Sequence, residues 1–332
     1  MFDSNEAEGL EIPFSEEEVF AALLDLGKDK APSPDGFTMA FWLFCWDVVK
    51  VEIMGFFREF HEMSRFVKSL NATFLVLVPK KGDAEDLKDF RPISLVSSLY
   101  KLLAKVLANK IKKVMGKVIS ESQNAFVESR QILDIVLIAN EVVDSRLKSN
   151  VGGVLCKLDT EKAYDHIGWS FLMAVLKKMG FGERWIKWIE WCISTVKFYV
   201  LINGSPSSFF QSSRRLRQGD LLSPYLFVIA MKVFSCLLRR AISGSFLSRW
   251  RVRGRSDEGI LISHLLFTDD TLVFCEESLD QMTYVSWLLM WFEACSGLRI
   301  NLEKSELIPV GRVHDIEDLA LELGCKVGGL PS

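Results

Sequence analysis

The segment His264-Leu-Leu-Phe-Thr-Asp-Asp-Thr-Leu-Val-Phe-Cys275 decides the fold that we expect for this chain. Two short apolar runs flank Thr268-Asp269-Asp270, a pattern typical of a β-hairpin with acidic residues at its tip. The flanking runs are too apolar to be left in water, so the hairpin belongs in a covered sheet. We therefore expect Asp269 and Asp270 at the mouth of a buried sheet.

A second apolar run, Val151–Leu158, leads directly into Asp159 and predicts a buried strand that ends in a third carboxylate. Carboxylates gathered at one end of a sheet repel each other and lose hydration, and divalent cations make such an arrangement favourable. Mg²⁺ binds through one or two carboxylates plus substrate phosphates, and two such ions can assist phosphoryl transfer. An Asp-Asp pair is also ordinary turn chemistry, so this dipeptide alone does not decide between a site and a turn.

The rest of the chain alternates helical and strand patterns. Helices are predicted at about 16–27 after a capping box, 37–66, 94–115, 129–148, 168–179, 183–194, 223–242 and 279–295. Phe74–Pro79 predicts a strand, and Asn203-Gly204 predicts the turn of another hairpin. No element is predicted after Gly297. This order indicates an α+β fold with a mainly antiparallel sheet packed on helices.

Composition excludes several classes of protein. The 332 residues are 49% hydrophobic and 25% charged, which is not the composition of a disordered or collagenous chain. The acidic N-terminus is unlike a signal peptide, and no apolar run approaches the roughly 18 residues of a membrane helix. Seven dispersed cysteines without a CxxC pair argue against disulfides or zinc. We expect an intracellular protein, in the nucleus or cytoplasm, with no membrane partner.

Charge is strongly segregated although the net charge is only −3. Residues 1–25 carry eight acidic side chains and no basic one, whereas Lys101–Lys117 contains six lysines and no acid. The stretch Arg214–Arg255 contains ten Lys and Arg residues against the single acid Asp220. Such runs are either solvated helix faces or part of a phosphate-backbone groove, and net charge does not choose between them.

A collinear series of motifs resembles the reverse transcriptase domain of non-LTR (LINE-type) retrotransposons, particularly the plant form. The series covers about Lys30 to Pro331 and comprises Lys30-Ala-Pro-Ser-Pro-Asp-Gly36, Val78-Pro-Lys-Lys81, Asp89-Phe-Arg-Pro-Ile-Ser-Leu95, Gln123-Asn-Ala-Phe-Val127, Lys157-Leu-Asp-Thr-Glu-Lys-Ala-Tyr-Asp165, Leu216-Arg-Gln-Gly-Asp220, Phe267-Thr-Asp-Asp270, Ser296-Gly-Leu-Arg-Ile-Asn301 and Leu323-Gly-Cys325. Each motif alone is weak, but their common order is specific. The resemblance implies a right-hand polymerase of fingers and palm, working on an RNA template and a DNA primer with deoxynucleotides (dNTPs).

The resemblance also implies roles for individual residues. Asp159, Asp269 and Asp270 match the catalytic, metal-binding triad, which would hold two Mg²⁺ ions, with Mn²⁺ as an alternative. The remaining matches are Lys304 as a catalytic general acid, Lys80 and Arg91 as triphosphate-binding cations, Tyr164 as the steric gate against a ribose 2′-OH, and Gln218 and Gly219 as the loop on the incoming nucleotide. The resemblance leaves protein partners unknown.

The domain organisation that we expect has three parts. Residues 1–70 form a helical N-terminal extension, 71–312 form the fingers and palm, and 313–332 form a truncated start of the segment leading to a missing thumb.

Truncation leaves an alternative function open, namely an inactive relic that at most binds nucleic acid. An RNA-templated RNA polymerase fits the three acids but not Tyr164.

Several positions depart from the family pattern. Ser33 and Arg215 stand where glycine is usual, and Thr268 replaces a common alanine. Arg215 matters most, because a side chain at a position with positive φ costs about 1 kcal/mol or more.

Overall fold

The computed structural model describes residues 4–27, 35–252 and 259–330. Ser33, most of the first family motif, the last arginines of the 214–255 basic stretch and the end of the chain lie outside these ranges. The chain divides into two compact units, one made of Met1–Val114 and Leu172–Leu226, the other of Met115–Phe171 and Phe227–Ser332. Among the residues that the structure describes, none of the helices combines the length and the hydrophobicity that a membrane-spanning segment requires.

The elements alternate along the chain as follows. The helices are α1 (Ser4–Leu10), α2 (Glu16–Asp25), α3 (Met39–Phe44), α4 (Trp46–Met63), α5 (Ser98–Val118), α6 (Ile132–Lys148), α7 (Ala163–His166), α8 (Trp169–Met179), α9 (Glu183–Ser194), α10 (Ser223–Ser243), α11 (Leu279–Ser296) and α12 (Ile316–Leu323). The strands are β1 (Ala72–Pro79), β2 (Phe90–Val96), β3 (Gly153–Glu161), β4 (Lys197–Ile202), β5 (Ser205–Pro206), β6 (Trp250–Val252), β7 (Ile260–Ile262), β8 (His264–Phe267), β9 (Asp270–Cys275), β10 (Arg299–Ile300), β11 (Glu306–Val310) and β12 (Lys326–Val327).

The first unit contains a four-stranded sheet in the order β2-β1-β4-β5. Strands β1 and β2 form an antiparallel hairpin, and β1 pairs with β4 in parallel. The predicted turn between β4 and β5 is confirmed, since Asn203 and Gly204 have φ values of 50° and 81°, as a type I′ turn requires. Helices α4 and α9 supply an aromatic core, in which the rings of Phe14 and Phe60 lie 5.2 and 5.5 Å from that of Trp188.

The second unit is built on a sheet in the order β12-β11-β3-β9-β8, with β10 also paired to β3. All its pairings except that of β11 with β12 are antiparallel, which confirms the expected sheet type. Strands β6 and β7 form a separate hairpin. One buried cluster joins this sheet to α6 and consists of Ile135, Val142, Leu155, Trp250, Val252, Leu265, Phe274, Ile308 and Val310.

Four local predictions were wrong. The helix expected over 37–66 is two helices, because the chain leaves helical geometry at Cys45 (φ −90°, ψ 6°). Residues 90–96 form β2, which the sequence pattern missed, and the following helix starts at Ser98 instead of 94. Strand β3 continues past Asp159 to Glu161. The region after Gly297 contains three strands and a helix, where none was expected.

Candidate active site

Two of the predicted acids lie side by side across neighbouring strands. Asp159 in β3 is the direct antiparallel partner of Asp270, the first residue of β9. Directly opposed residues project from the same face of a sheet, with Cβ atoms roughly 4.5–5.5 Å apart. Like charges in such a pair are destabilising, so this register is costly unless something neutralises it.

The third acid, Asp269, sits in the tight turn between β8 and β9 together with Thr268. Thr268 has φ 52°, a left-handed conformation that is uncommon and strained for a β-branched residue. Its hydroxyl donates to Asp269 Oδ1 at 2.7 Å, and the buried Thr160 hydroxyl donates to the Asp269 carbonyl at 3.1 Å. The turn is therefore held from both the side chain and the backbone of Asp269.

A loop between β10 and β11 brings Lys304 toward Asp159. Both strands pair with β3, so the intervening residues 301–305 must pass alongside Asp159. The Asn301 amide donates to the Asp159 carbonyl at 2.8 Å, and the Asp159 amide donates to Ser305 Oγ at 3.1 Å. Neither Asn301 nor Ser305 has a role predicted from the sequence, although both lie in or beside a family motif. They brace the backbone of the acid.

The three carboxylates influence one another electrostatically. Desolvation raises the pKa of Asp159, the positive charge of Lys304 opposes this, and the negative charge of Asp269 adds to it. Desolvation also raises the pKa of Asp270, together with the charges of Asp269 and Asp159. Within the described ranges, no group of three or more His, Cys, Asp or Glu side chains is placed so that it could hold a metal ion by itself. The oxygen donors nevertheless suit Mg²⁺, which needs only one or two protein carboxylates beside water and phosphate.

Removing one of these charges should stabilise the metal-free protein. With raised pKa values, Asp159 and Asp270 hold protons more tightly in the folded state than in the unfolded chain, so stability falls as pH rises through their pKa. We expect Asp270→Asn to raise the free energy of unfolding at neutral pH by less than about 1 kcal/mol, since water screens an exposed carboxylate.

This gain should disappear as the pH approaches 3.8, the ordinary Asp value, because the wild-type carboxyl is then also neutral. The measurement is thermal unfolding in a chelator at several pH values. Asp144→Asn, on the exposed surface of α6 beside Lys148, serves as the control and should give no gain. Equal behaviour of the two variants would contradict mutual repulsion at the site.

Tyr164 lies in α7, shortly after the strand that carries Asp159. Its ring packs 5.4 Å from that of Phe227, tilted by 36°. Burial raises the pKa of Tyr164 to about 12, and the negative charge of Asp269 contributes. The side chain is therefore a fixed, neutral ring within electrostatic range of the acidic turn.

Four other predicted residues belong to the first unit. Lys80 and Arg91 are exposed at the tip of the β1–β2 hairpin, where Val78 is paired with Arg91. The Lys80 ammonium donates to the Lys88 carbonyl at 2.6 Å. Gln218 and Gly219 form a loop against β2, where the Gln218 carbonyl accepts the Ser94 amide at 2.8 Å.

Gly219 is required by its conformation and its surroundings. Its φ is 99°, and a Cβ at this position would lie 3.2 Å from the Ser94 carbonyl oxygen. Close approach of this loop to β2 therefore depends on the absence of a side chain.

A buried polar network beside this loop was not predicted from the sequence. Arg217 donates to Asp220 at 2.7 Å and to Asn71 Oδ1 at 2.7 Å, and its guanidinium lies 4.0 Å from the centre of the Tyr100 ring. Tyr100 in turn donates to Asp220 at 2.7 Å. Arg217 and Asp220 carry opposite charges three residues apart, which is a weak signal for an ion pair, and nothing in the sequence points to Asn71.

Arg215 has the positive φ that its place in the motif suggested, at 110°. A side chain in this conformation lowers folding stability by about 1–2 kcal/mol. The Arg215 guanidinium lies 5.7 Å from the centre of the Phe198 ring, and this cation–π contact offsets part of that strain. We expect Arg215→Gly to stabilise the protein by about 1 kcal/mol in urea unfolding. The adjacent control Arg214→Gly should be destabilising, because glycine only adds freedom to the unfolded chain there. The prediction fails if both substitutions destabilise alike.

Comparison with known proteins identifies the family. The sequence profile described as reverse transcriptase (RNA-dependent DNA polymerase) matches residues 78–314. The chain belongs to the reverse transcriptase family. This reverse transcriptase chain is 29% identical over 298 residues to an uncharacterized 149 kDa protein of transposon TX1 from Xenopus laevis, covering 90% of the chain and 22% of that protein.

A second relative is the Pol polyprotein of the type-1 retrotransposable element R2 from Popillia japonica, 25% identical over 302 residues. That match covers 90% of the chain and 40% of the polyprotein, so the chain spans less than half of either relative. Both relatives confirm the expected likeness to non-LTR retrotransposons.

A solved structure of apo telomerase from Candida tropicalis, truncated from the C-terminal domain, has a similar fold. The TM-score is 0.51 at 13% sequence identity, over 86% of the reverse transcriptase chain and 59% of the telomerase chain. This similarity confirms the polymerase fingers and palm fold class that the motifs implied.

Proposed function

We propose that this chain is an RNA-directed DNA polymerase domain of a non-LTR retrotransposon, which adds dNTPs to the 3′-OH of a DNA primer on an RNA template. The observation that carries this proposal is the pairing of Asp159 with Asp270 beside the Asp269 turn. Membership of the reverse transcriptase family supports it. The motif set favours the plant form of the family. We place its action in the nucleus or cytoplasm.

Asp159, Asp269 and Asp270 would hold the divalent ions. These residues fit a divalent cation for two reasons. Their carboxylate oxygens lie at one end of a sheet, and a bound cation would neutralise the repulsion between their negative charges. When bound, a pair of Mg²⁺ or Mn²⁺ ions would stabilise both the attacking and the leaving oxygen of nucleotidyl transfer. The Thr268 and Thr160 hydroxyls and the Ser305 contact hold the acids in position for this task.

The cationic residues have distinct roles in this proposal. Lys304 is exposed on its loop within electrostatic range of Asp159, and its ammonium can supply a proton toward the pyrophosphate leaving group. Lys80 and Arg91 project from the tip of a hairpin, where a point charge and a bidentate guanidinium can bind a triphosphate. The loop of Gln218 and Gly219, held against β2 by the hydrogen bond from the Ser94 amide to the Gln218 carbonyl, would pack on the incoming nucleotide.

Tyr164 should select deoxynucleotides by occupying the volume of a ribose 2′-OH. We expect Tyr164→Ala to raise the efficiency of ribonucleotide incorporation, relative to that of dNTPs, by at least about tenfold. Tyr164→Phe keeps the ring and its packing on Phe227, so it should retain discrimination. The measurement is kcat/KM for both sugars on one template. Loss of discrimination in the Phe variant would contradict a steric gate.

The function is tested by primer extension on an RNA template with Mg²⁺ and dNTPs. The proposal predicts incorporation that follows the template and stops in a chelator. Binding of primer–template without incorporation would instead identify a non-catalytic nucleic-acid-binding remnant. A preference for ribonucleotides in the same assay would indicate an RNA-templated RNA polymerase, and either result would overturn the proposal.

A further inference from the structure

A cleft of about 690 Å³ lies in the second unit, away from the aspartates. Its walls come from the C-terminal turn of α5, the last turns of α10, and strands β7 and β8. Strand β8 begins in the cleft at His264 and ends at the acidic turn. From His264 to Phe267 the strand extends about 10 Å at about 3.3 Å per residue, and the acidic turn follows it, so the two sites use opposite ends of one strand.

Positive charge dominates the lining of this cleft. Lys117, Arg130, Arg239 and Arg249 line it, against Glu121 as the one acid among its described lining residues. Such a surplus favours an anionic ligand, and arginine is the side chain best suited to bidentate binding of phosphate.

Two of these arginines are available to a ligand. Arg130 is already used within the protein, because its Nη1 donates to the carbonyls of Ser120 and Gln123, both at 2.7 Å. Arg239 is exposed, and among the described residues its side chain donates only to Cys236 Sγ at 3.2 Å, which is a weak acceptor. Arg249 is exposed and forms no hydrogen bond or ion pair with any part of the chain that the structure describes.

The floor of the cleft is a fixed set of hydroxyl groups around His264. Its Nε2 lies 2.7 Å from Ser235 Oγ and 3.1 Å from Ser122 Oγ, and its Nδ1 lies 2.8 Å from Ser263 Oγ. Burial lowers the pKa of His264 to about 4, with the charge of Arg239 adding to the effect. The imidazole is thus neutral at physiological pH and orients the Ser122 and Ser263 hydroxyls that line the cleft.

The remaining wall is aliphatic and includes Ile242, Ile260 and Ile262. A ligand that satisfies all three surfaces carries phosphates for the arginines, hydrogen-bonding groups for the serines and flat apolar groups for the isoleucines. The volume suits a few nucleotides, and the exposed arginines suit a chain that continues into solvent. We propose that this cleft binds the phosphodiester backbone of a single-stranded nucleic acid, separately from the site of nucleotidyl transfer.

The test compares two charge-reversal variants of the full chain. R239E/R249E alters the cleft, and K177E/K178E makes the same charge change on the exposed surface of α8. Fluorescence anisotropy is measured with labelled single-stranded RNA and DNA of about ten nucleotides, without Mg²⁺ or dNTPs, over a range of salt.

We expect R239E/R249E to bind the oligonucleotides at least tenfold more weakly than the wild type. The slope of log affinity against log salt concentration should become shallower by about 1.4, which is about 0.7 for each lost phosphate contact. K177E/K178E should lose much less affinity and keep its salt slope. Comparison of the RNA and DNA arms tells which strand binds better, and either supports the proposal. Affinity and salt slope equal to wild type in R239E/R249E would overturn it.

Crosslinking locates the bound strand in the wild-type protein and guards against misfolding of the variant. Oligonucleotides with 4-thiouridine or 4-thiothymidine should crosslink to peptides within 239–249 or 260–265. Crosslinks confined to other regions would overturn the proposal. Because neither experiment requires catalysis, failure of this site and failure of the polymerase function are distinguishable.

Discussion

Replacing Asp269 with asparagine is expected to lower the rate of dNTP incorporation by at least about 100-fold. Asparagine keeps the shape of the side chain and an oxygen that can accept the Thr268 hydrogen bond, so the turn should persist. What is lost is the negative charge that would hold a divalent ion. Metal-ion stabilisation of the transition state contributes several kcal/mol, and each 1.36 kcal/mol corresponds to a factor of ten in rate.

The rate is measured by single-nucleotide primer extension at saturating primer–template. Asp280→Asn is the matched control, since it removes an acid from the first turn of α11 in the same unit. The control should incorporate at the wild-type rate. If Asp269→Asn retained that rate as well, Asp269 would not be a metal ligand.

Replacing Arg217 with methionine is expected to cost about 3–5 kcal/mol of folding stability. The pair that Arg217 forms with Asp220 is almost fully buried, with both residues no more than 5% exposed. Removing one partner of a buried pair leaves an uncompensated charge, which is the reason for the large penalty. The side-chain oxygen of Asn71 would also lose the hydrogen bond that it accepts from Arg217.

The double variant Arg217→Met/Asp220→Asn should recover part of this loss. A neutral amide is less costly to bury, and its oxygen can still accept from Tyr100. The surface control is Lys148→Met, whose partner Asp144 lies 3.8 Å away, and it should cost at most about 0.5 kcal/mol. Urea unfolding measures all three. A penalty for Arg217→Met no larger than that of the control would show that the network contributes little.

Local patterns predicted the centre of the second unit well. The apolar runs around Thr268-Asp269-Asp270 and before Asp159 are strands, and they are neighbours in one sheet. A hairpin forms between adjacent segments, and an apolar strand must be buried, so short-range information was sufficient here. The positive φ of Arg215 was likewise foreseeable from its place in a glycine-containing motif.

Other elements depend on distant partners that no local pattern encodes. Strand β2 contains Pro92 and is only partly apolar, and its extended form rests on pairing with β1. Strand β11 adds to β3 from nearly 150 residues away, as the pairing of Glu306 with Lys157 illustrates. Strand preference is set largely by such neighbours, which explains why both segments escaped prediction.

In the candidate site, too, some residues were predictable from the sequence and others were not. Asp159, Asp269 and Asp270 came from strand patterns and family motifs, and the structure brings them together in one unit with Lys304. The residues that brace them, Ser305 and Thr160, were missed because a supporting hydroxyl has no sequence signature.

The most direct test of the central claim is Mn²⁺ binding, followed by electron paramagnetic resonance in the presence of primer–template and a non-hydrolysable dNTP analogue. If the three aspartates hold the ions, wild-type protein should bind Mn²⁺ that Mg²⁺ displaces. Asp159→Asn and Asp270→Asn should each weaken this binding by at least about tenfold, while Asp280→Asn leaves it unchanged. Equal Mn²⁺ binding by all four proteins would contradict a metal site built from these carboxylates.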